Sequence, residues 1–227
     1  MDNKCRIGID VGGTFTDIVA VSDTGTVTFS KAASTPNDPS IGVMNAVERL
    51  ADELGINSET LLSKTESIVH GTTVATNALL ERKGAKTGLL TTLGHRDVLE
   101  MREGLKDDRY NMRLPAPAPL VPRFLRLGVR ERIKPDGSIH TKLDDASLDE
   151  AINKLREEKV TSVAVCYLHA YKEPKHEQET KKILEAKLPG VSVSISSEVF
   201  PEIKEYERVS TTIVNAYVRP IVENYLN

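Results

Sequence analysis

Two apolar runs near the start of the chain are joined by a turn that contains the glycines Gly12 and Gly13. The first run, residues 5–11, and the second, residues 17–22, have the length of strands and are rich in Ile and Val. A strict Rossmann unit needs a helix directly after its first turn, but here a second strand follows. The opening therefore predicts a pair of neighbouring strands at the start of an α/β fold.

The rest of the chain alternates between strand-like and helix-like segments. Further strands are predicted at 26–31, just before Gly71, and at 87–92, 160–167 and 191–196. Helices are predicted at 39–54, between a turn at Gly71 and Gly84, at 147–158 and 174–187, and from about 203 to the end. This order favours α/β architecture: a ribonuclease-H-like mixed sheet flanked by helices, with an inserted α/β segment.

One stretch departs from this alternation. Residues 104–124 contain LPAPAPLVP, which excludes a helix or a central strand and predicts an extended surface segment or a flap. The sequences RLGVRERI, PDG and SIHTKL, which together span 126–143, predict a hairpin.

Composition and charge exclude several classes of protein. The net charge of -3 gives no electrostatic basis for binding nucleic acid or an anionic membrane. No apolar run approaches the roughly 18 residues of a membrane span, and the charged N-terminus lacks the apolar core of a signal peptide. Cys5 and Cys166 lie in apolar strand-like runs, which indicates buried reduced thiols. We therefore expect a cytoplasmic protein.

The glycine turn has the chemistry of a phosphate-binding loop. Gly12 and Gly13 let backbone amides approach a ligand closely, because no side chain stands in the way. Thr14 and Thr16 add hydroxyl groups, and exposed amides with hydroxyls suit phosphate oxygens.

Two carboxylates flank the turn. Asp10 lies at the end of the first strand, where a carboxylate can hold Mg²⁺ through water, and Asp17 could support the loop or the metal. A plain hairpin turn would explain the glycines but not the aspartate on each side, so the phosphate loop is the preferred interpretation.

Several motifs together carry a resemblance to a known family. GIDVGGTFTD resembles the first phosphate motif of the actin, hexokinase and heat-shock ATPase superfamily. More narrowly, it resembles the N-terminal region of the hydantoinase A, 5-oxoprolinase and acetone carboxylase family, as do VHGTTVATNALLERKGAKTGLLTT from Val69, GHRDVLE from Gly94 and SSEVFPEIKEYERVSTTIVNAYVRP from Ser196. MREGLKDDRYNMR, from Met101, is most similar to the N-methylhydantoinase type of A subunit. The resemblance covers almost the whole chain.

The resemblance implies an ATP- and Mg²⁺-dependent enzyme that phosphorylates a cyclic amide of the hydantoin or 5-oxoproline type before its ring is opened. Two alternatives stay open. One is an ATP-dependent ketone carboxylase subunit of the acetone or acetophenone type. The other is a non-catalytic nucleotide-binding domain with a regulatory role.

The same resemblance assigns candidate site residues. Those expected to bind ATP are Asp10, Gly12, Gly13, Thr14 and Thr16, and Asp10 is also the expected Mg²⁺ residue. The expected catalytic residues are Asp10, His70, Thr72 and Thr73. Each of the last three has a structural alternative: His70 as a strand-end histidine, and the threonines as helix N-caps.

Weaker candidates carry no assigned role. Asn77 could face the site, Asp97 could support a helix start, and Arg96 could reach an anion. Three arginines around the Pro-rich segment could cover the substrate, although a solvated charged face is preferred for each alone; they are Arg102, Arg109 and Arg113. Charged residues at the start of the last helix are expected to form surface pairs; they are Glu202, Glu205, Glu207 and Arg208. The spacing of His140, His169 and His176 gives no metal site.

The resemblance also implies how the chain is organised. Residues 1–227 correspond to a hydantoinase/oxoprolinase N-terminal domain with an inserted segment at about 67–143. Gly12–Gly13 is the only Gly-Gly pair, so a second ATPase domain with its own phosphate loop is expected to be absent from this chain. The expected partners are the rest of the subunit, a hydantoinase B-type subunit and the cyclic amide substrate.

Overall fold

The structure is a computed structural model that describes residues 4–36, 38–104, 108, 110–115 and 117–226. It divides into two compact units. The first unit comprises Met1–Glu81 with Tyr225–Asn227, and the second comprises Arg82–Asn224. The interpretation of residues 67–143 as an insertion remains a prediction; residues up to 72 belong to the sheet of the first unit.

The first unit is built on a four-stranded mixed sheet with the order β3-β2-β1-β4. Its strands are β1 (Cys5–Val11), β2 (Phe15–Ser22), β3 (Val27–Ala33) and β4 (Thr65–Thr72). Strand β2 is antiparallel to both β1 and β3, and β4 runs parallel to β1. The predicted strands 5–11 and 17–22 therefore share one sheet, and the predicted α/β fold with a mixed sheet is confirmed.

The two faces of this sheet differ. Alternate residues of β1, including Ile7 and Ile9, are buried in a core with helix α1 (Pro39–Glu53). Asp38 caps α1, and its carboxylate accepts the amide N–H of Ser40 at 3.1 Å. We call the opposite side, which carries the other alternate residues, the open face.

The open face is apolar over much of its area. Among its exposed side chains, Phe29 keeps 75% and Val69 keeps 69% of its accessible surface. The register places both residues in one row across the sheet with Val19 and Gly8. A Cβ at Gly8 would lie 3.0 Å from a methyl group of Val19, so any larger residue there would require the Val19 side chain to shift.

Two short helices complete the first unit, and neither was fully predicted. Helix α2 (Ser58–Ser63) was missed because six residues give almost no helical periodicity, although Asn57 caps it. The prediction of a helix up to Gly84 is wrong, since helix α3 ends at Leu80 (Val74–Leu80) and Arg82 adopts a left-handed φ of 54°.

The second unit contains a four-stranded parallel sheet with the order β10-β9-β5-β6. Its strands are β5 (Thr87–Thr92), β6 (Arg126–Val129), β9 (Ser162–Cys166) and β10 (Ser192–Ile195). Its helices are α4 (Val98–Met101), α5 (Asp145–Glu157), α6 (Lys175–Lys187), α7 (Ser196–Val199) and α8 (Glu205–Leu226), whose end from Tyr225 groups with the first unit.

The predicted hairpin at 126–143 is only partly correct. Its first residues form β6 and pair with β5 in the parallel sheet. The hairpin itself is confined to β7 (Arg132–Ile133) and β8 (Ile139–Thr141). A one-turn 3-10 helix, Arg123–Leu125, follows the Pro-rich stretch and leads into β6.

A buried hydrogen-bond network around Glu177 and Arg208 connects several elements of the second unit. The Glu177 carboxylate accepts the amide N–H groups of Tyr167 and Ser197 at 2.9 and 2.8 Å and the Ser196 hydroxyl at 2.6 Å. Arg208 donates to the Tyr167 carbonyl and to the Ser196 hydroxyl, both at 2.8 Å. The expectation that Arg208 forms a surface pair is therefore wrong, because its side chain is fully buried.

Two further features agree with the sequence. Cys5 and Cys166 are free and buried, and burial raises the pKa of Cys166 to about 12. Among the residues that the structure describes, no helix has both the length and the apolar character needed to cross a membrane.

Candidate functional site

The glycine turn forms an ordered loop between β1 and β2. The Gly12 amide donates to the Phe15 carbonyl at 3.0 Å. Ser34, which directly follows β3, stabilises the loop through two hydrogen bonds. Its hydroxyl donates to the Gly12 carbonyl at 2.7 Å, and its amide donates to the Thr14 carbonyl at 3.0 Å. The loop is thus held through its carbonyl groups.

The amides at the tip of this loop are available. Gly13 and Thr14 are exposed, and neither backbone N–H donates a hydrogen bond to any residue in the described part of the chain. Two adjacent free N–H groups form a concavity that can accept an anion. This geometry fits the phosphate-binding role that the sequence predicts.

Thr16 is placed differently from its predicted neighbours. Strand β2 begins two residues before its predicted start, so Thr16 lies within the strand and on its buried side. Its hydroxyl lies 3.1 Å from the Ser34 hydroxyl. In this structure, Thr16 supports the loop from below instead of presenting a donor to solvent.

The two flanking carboxylates lie side by side on the open face. Asp10 and Asp17 are directly paired across β1 and β2. From edge to edge, their row consists of Lys31, Asp17, Asp10 and Gly71. Like charges directly opposite each other destabilise a sheet. A cation bound between Asp10 and Asp17 would relieve this repulsion.

Within the described part of the chain, one of these two carboxylates has a cationic partner and the other does not. Lys31 Nζ lies 3.1 Å from Asp17 Oδ1. Asp10 forms no ion pair with any described residue, and Gly71 lies directly beside it, since a Cβ there would contact Asp10 Oδ1 at 3.7 Å. Asp10 is therefore the freer ligand of the two.

The arrangement fits a water-mediated Mg²⁺ site. Within the described ranges, no group of three or more His, Cys, Asp or Glu side chains could hold a metal by itself. Mg²⁺ keeps several waters and is commonly bound by one or two carboxylates together with substrate phosphates. Asp10 and Asp17, on the two strands that the loop connects, supply two such carboxylates.

The segment HGTT runs beside the glycine loop, because β4 is parallel to β1. The Thr72 hydroxyl donates to the Val11 carbonyl at 3.2 Å and accepts the Val74 amide N–H at 3.2 Å. Thr72 thus links the end of β1 to the start of α3, which is a structural role.

Thr73 is linked to the glycine loop indirectly, by a hydrogen bond to Asn77. Thr73 occupies the N-cap position of α3 but makes no capping hydrogen bond with its side chain. Its hydroxyl instead accepts a hydrogen bond from Asn77 Nδ2 at 3.2 Å, and that nitrogen would lie 3.3 Å from a Cβ at Gly13. Asn77 therefore lies next to the loop.

His70 and Asp10 are not brought together. His70 pairs with Ile9, whereas Asp10 pairs with Gly71, so the two side chains project from opposite faces of the sheet. His70 Nε2 hydrogen-bonds the Tyr225 hydroxyl at 2.5 Å, and the two rings stack with centroids 5.6 Å apart. Sequence reasoning missed Tyr225 because 155 positions separate the partners.

Two cavities border these residues. An open groove of about 1030 Å³ is lined by Asp10, Asp17 and Gly71. A smaller cavity of about 130 Å³ is lined by residues that include Gly12, Gly13, Thr72, Asn77 and Tyr225. The loop glycines line the smaller cavity, and the carboxylates line the groove.

The weaker candidates other than Asn77 belong to the second unit. Arg96, Arg102 and Arg113 are exposed, and Arg109 lies outside the described residues. Asp97 forms a two-point ion pair with Arg123 at 2.9 and 3.1 Å, and these hydrogen bonds hold the pKa of Asp97 below its usual value. Asp97 therefore has a structural partner.

Comparison with known proteins gives concordant results. Caprolactamase subunit alpha from Pseudomonas jessenii is 44% identical over 223 residues, and the crystal structure of that ATP-dependent caprolactamase superposes with a TM-score of 0.88 over 97% of this chain. Acetophenone carboxylase gamma subunit from Aromatoleum aromaticum is 38% identical over 96% of the chain and 31% of the relative. A nucleotide-free acetone carboxylase structure matches with a TM-score of 0.89 at 27% identity, over 99% of this chain and 33% of that one.

The chain spans 32% of the length of the caprolactamase subunit. Residues 6–188 match the family described as the hydantoinase/oxoprolinase N-terminal region. That match extends from the first strand through the glycine loop and the HGTT segment to the end of helix α6. The chain belongs to the hydantoinase/oxoprolinase N-terminal region family.

Proposed function

We propose that this chain is the phosphate-binding N-terminal part of an ATP-dependent enzyme that phosphorylates a cyclic amide before its ring is opened. The observation that carries the proposal is the pair of free amides at Gly13 and Thr14 beside the carboxylates Asp10 and Asp17. The similarity to an enzyme named ATP-dependent caprolactamase supports a lactam-like substrate.

The proposed chemistry explains why ATP would be needed. Resonance stabilises an amide carbonyl, and its oxygen is a poor leaving group. Phosphorylation of that oxygen makes the carbon electrophilic and converts the oxygen into a leaving group, so that water can attack. Such a transfer depends on phosphates held in position and on stabilisation of the charge that develops.

Each residue of the site has a proposed role. The amides of Gly13 and Thr14 donate to phosphate oxygens, while Thr16 and Ser34 hold the loop. Asp10, with Asp17, would hold Mg²⁺ through its waters, and the metal would neutralise phosphate charge. We keep Thr72 and Thr73 as proposed catalytic residues, together with His70, whose hydrogen bond to Tyr225 on the other face fits proton handling separate from the metal.

Ketone carboxylation is the second candidate, since relatives named acetophenone carboxylase and acetone carboxylase match the chain. It would phosphorylate an enol oxygen and bicarbonate by similar chemistry. A carboxylase needs bicarbonate to form its product, but a lactam hydrolase does not. A regulatory nucleotide-binding domain would show no dependence on either substrate.

A substrate-screened ATPase assay tests the proposal. The complete subunit, assembled with the proposed hydantoinase B-type partner, is expected to hydrolyse ATP in the presence of a lactam, a hydantoin or 5-oxoproline and to open the ring stoichiometrically. Omission of bicarbonate should leave this activity unchanged. Product formation only with a ketone and bicarbonate would instead establish the carboxylase, and substrate-independent hydrolysis would reject both.

We also expect the 227-residue chain by itself to bind Mg-ATP weakly or not at all and to open no ring. The caprolactamase subunit is about three times as long, and we place the proposed second phosphate loop and adenine pocket in the corresponding remaining part. Without them, the enclosure that orders the phosphates cannot form. Calorimetric titration with Mg-ATP measures this. An affinity in the micromolar range or tighter would place the nucleotide site within this chain alone.

A further inference from the structure

The parallel sheet of the second unit has a topological switch point. Its order is β10-β9-β5-β6, so the chain passes from β5 to β6 on one side and later to β9 on the other. In open parallel α/β sheets, ligands bind outside the carboxyl ends of the strands at such a point. The place to look for a ligand is therefore the edge beyond β5 and β9.

Three donor side chains occupy equivalent positions at that edge. His95, His169 and Arg132 each follow the last residue of their strand by three positions, after β5, β9 and β6. Arg132 Nη1 lies 3.1 Å from His95 Nε2. Since arginine only donates, Nε2 of His95 accepts this bond and its Nδ1 carries the proton.

Polar atoms at this edge lack partners. His169 adopts a left-handed φ of 57°, and its Nδ1 is buried without a hydrogen-bond partner among the described residues. Tyr171 contacts the His169 ring edge-on at 6.0 Å, and the Arg208 guanidinium lies 5.7 Å from the same tyrosine ring. Nε of Arg208 is likewise buried and unpartnered within the described part. Buried polar groups are normally satisfied, so these atoms require an explanation.

The charges at this edge leave one cation without a carboxylate. Glu131 is hydrogen-bonded to His176 at 2.8 Å and also to Thr92, and Glu205 lies 3.6 Å from Arg208. Arg132 forms no ion pair with any described carboxylate. Burial and then the Arg132 charge lower the pKa of His95, so this histidine remains a neutral donor.

We propose that this edge is a second ligand site, which binds a small molecule through a carboxylate or phosphate group held by Arg132, His95 and His169. The planar guanidinium of Arg132 suits either oxyanion. The proposal does not rest on the function proposed for the first unit.

Titration followed by NMR of the histidine imidazoles tests the site directly. Acetate and inorganic phosphate serve as probes in separate titrations, with sodium chloride at matched ionic strength as the reference. The NMR signals of the His95 and His169 imidazoles are expected to shift saturably, with a dissociation constant of order millimolar for probes of this size. The exposed His140 should not respond. The probe that saturates at lower concentration identifies the preferred group, and equal drift of all three histidines would overturn the proposal.

Variants separate binding from structure. Arg132→Gln should weaken the titration at least about tenfold, because it removes the charged fork, and Arg132→Lys should recover part of the loss. Arg130→Gln is the matched control: Arg130 is exposed, lies two residues away, and its contact with Asp144 is loose at 3.9 Å. Unchanged affinity in Arg132→Gln, with a native amide spectrum, would refute the site. Should that variant fail to fold, the lysine variant and the wild-type titration decide the question.

Discussion

Asp10→Asn in the complete subunit is expected to abolish ATP turnover while leaving thermal stability almost unchanged. The amide keeps the size of the side chain but loses the charge proposed to hold Mg²⁺ beside the glycine loop. Removal of one important electrostatic group from such a site typically costs about 100-fold or more in rate. Stability should not fall, because Asp10 lies opposite Asp17 and has no ion pair with a described residue.

Asp23→Asn provides the matched control for this experiment. Asp23 is exposed in the turn between β2 and β3, at the opposite end of the same sheet from the glycine loop. Its replacement should change neither the ATPase rate nor the melting temperature. A wild-type rate in Asp10→Asn would remove Asp10 from the mechanism, and a large loss of stability would show that its role is structural.

The second large effect is expected on stability, from Glu177→Ala. The change removes the acceptor for the Tyr167 and Ser197 amides and for the Ser196 hydroxyl, which in turn accepts a hydrogen bond from the buried Arg208. Breaking a buried charged network by removal of one member costs about 3 kcal/mol or more. Burial raises the pKa of Glu177, while the three hydrogen bonds that it accepts oppose the rise.

Two measurements test this prediction. The melting temperature reports the stability of the variant, and hydrogen exchange of the β9 amides reports the opening of the second unit. The melting temperature should fall by roughly 6–12 °C. Gln178→Ala, at the next and exposed position of α6, should change it by less than about 1 °C. A similar small shift in both variants would mean that the network contributes specificity of packing and little stability.

The sequence predicted the first sheet well because its signals are local. The glycine turn joined two strands with apolar alternation, and the later strand and helix segments were separated by clear turn residues. The start of β2 was misplaced by two residues, and that error concealed the inward position of Thr16. In a strand, the face of a side chain depends on the register, so a small error in a boundary changes the interpretation of a site residue.

The features that escaped prediction depend on distant residues. Tyr225 meets His70 across 155 positions, and Arg208 becomes buried only because Tyr167 and Ser196 offer it oxygen atoms. A charged residue at a helix start gives no local sign that it will enter a core. The alignment of His95, His169 and Arg132 likewise requires the strand order, which the sequence does not encode in any short motif.

The open face of the first sheet has a practical consequence for handling the chain. Phe29 and Val69 are largely exposed, and exposed apolar sheet surface favours self-association. At high protein concentration, contact between two copies would remove these side chains from solvent and would block the groove beside Asp10. Ligand titrations of the isolated chain are therefore best performed in dilute solution, with sedimentation used to establish that the species observed is a monomer.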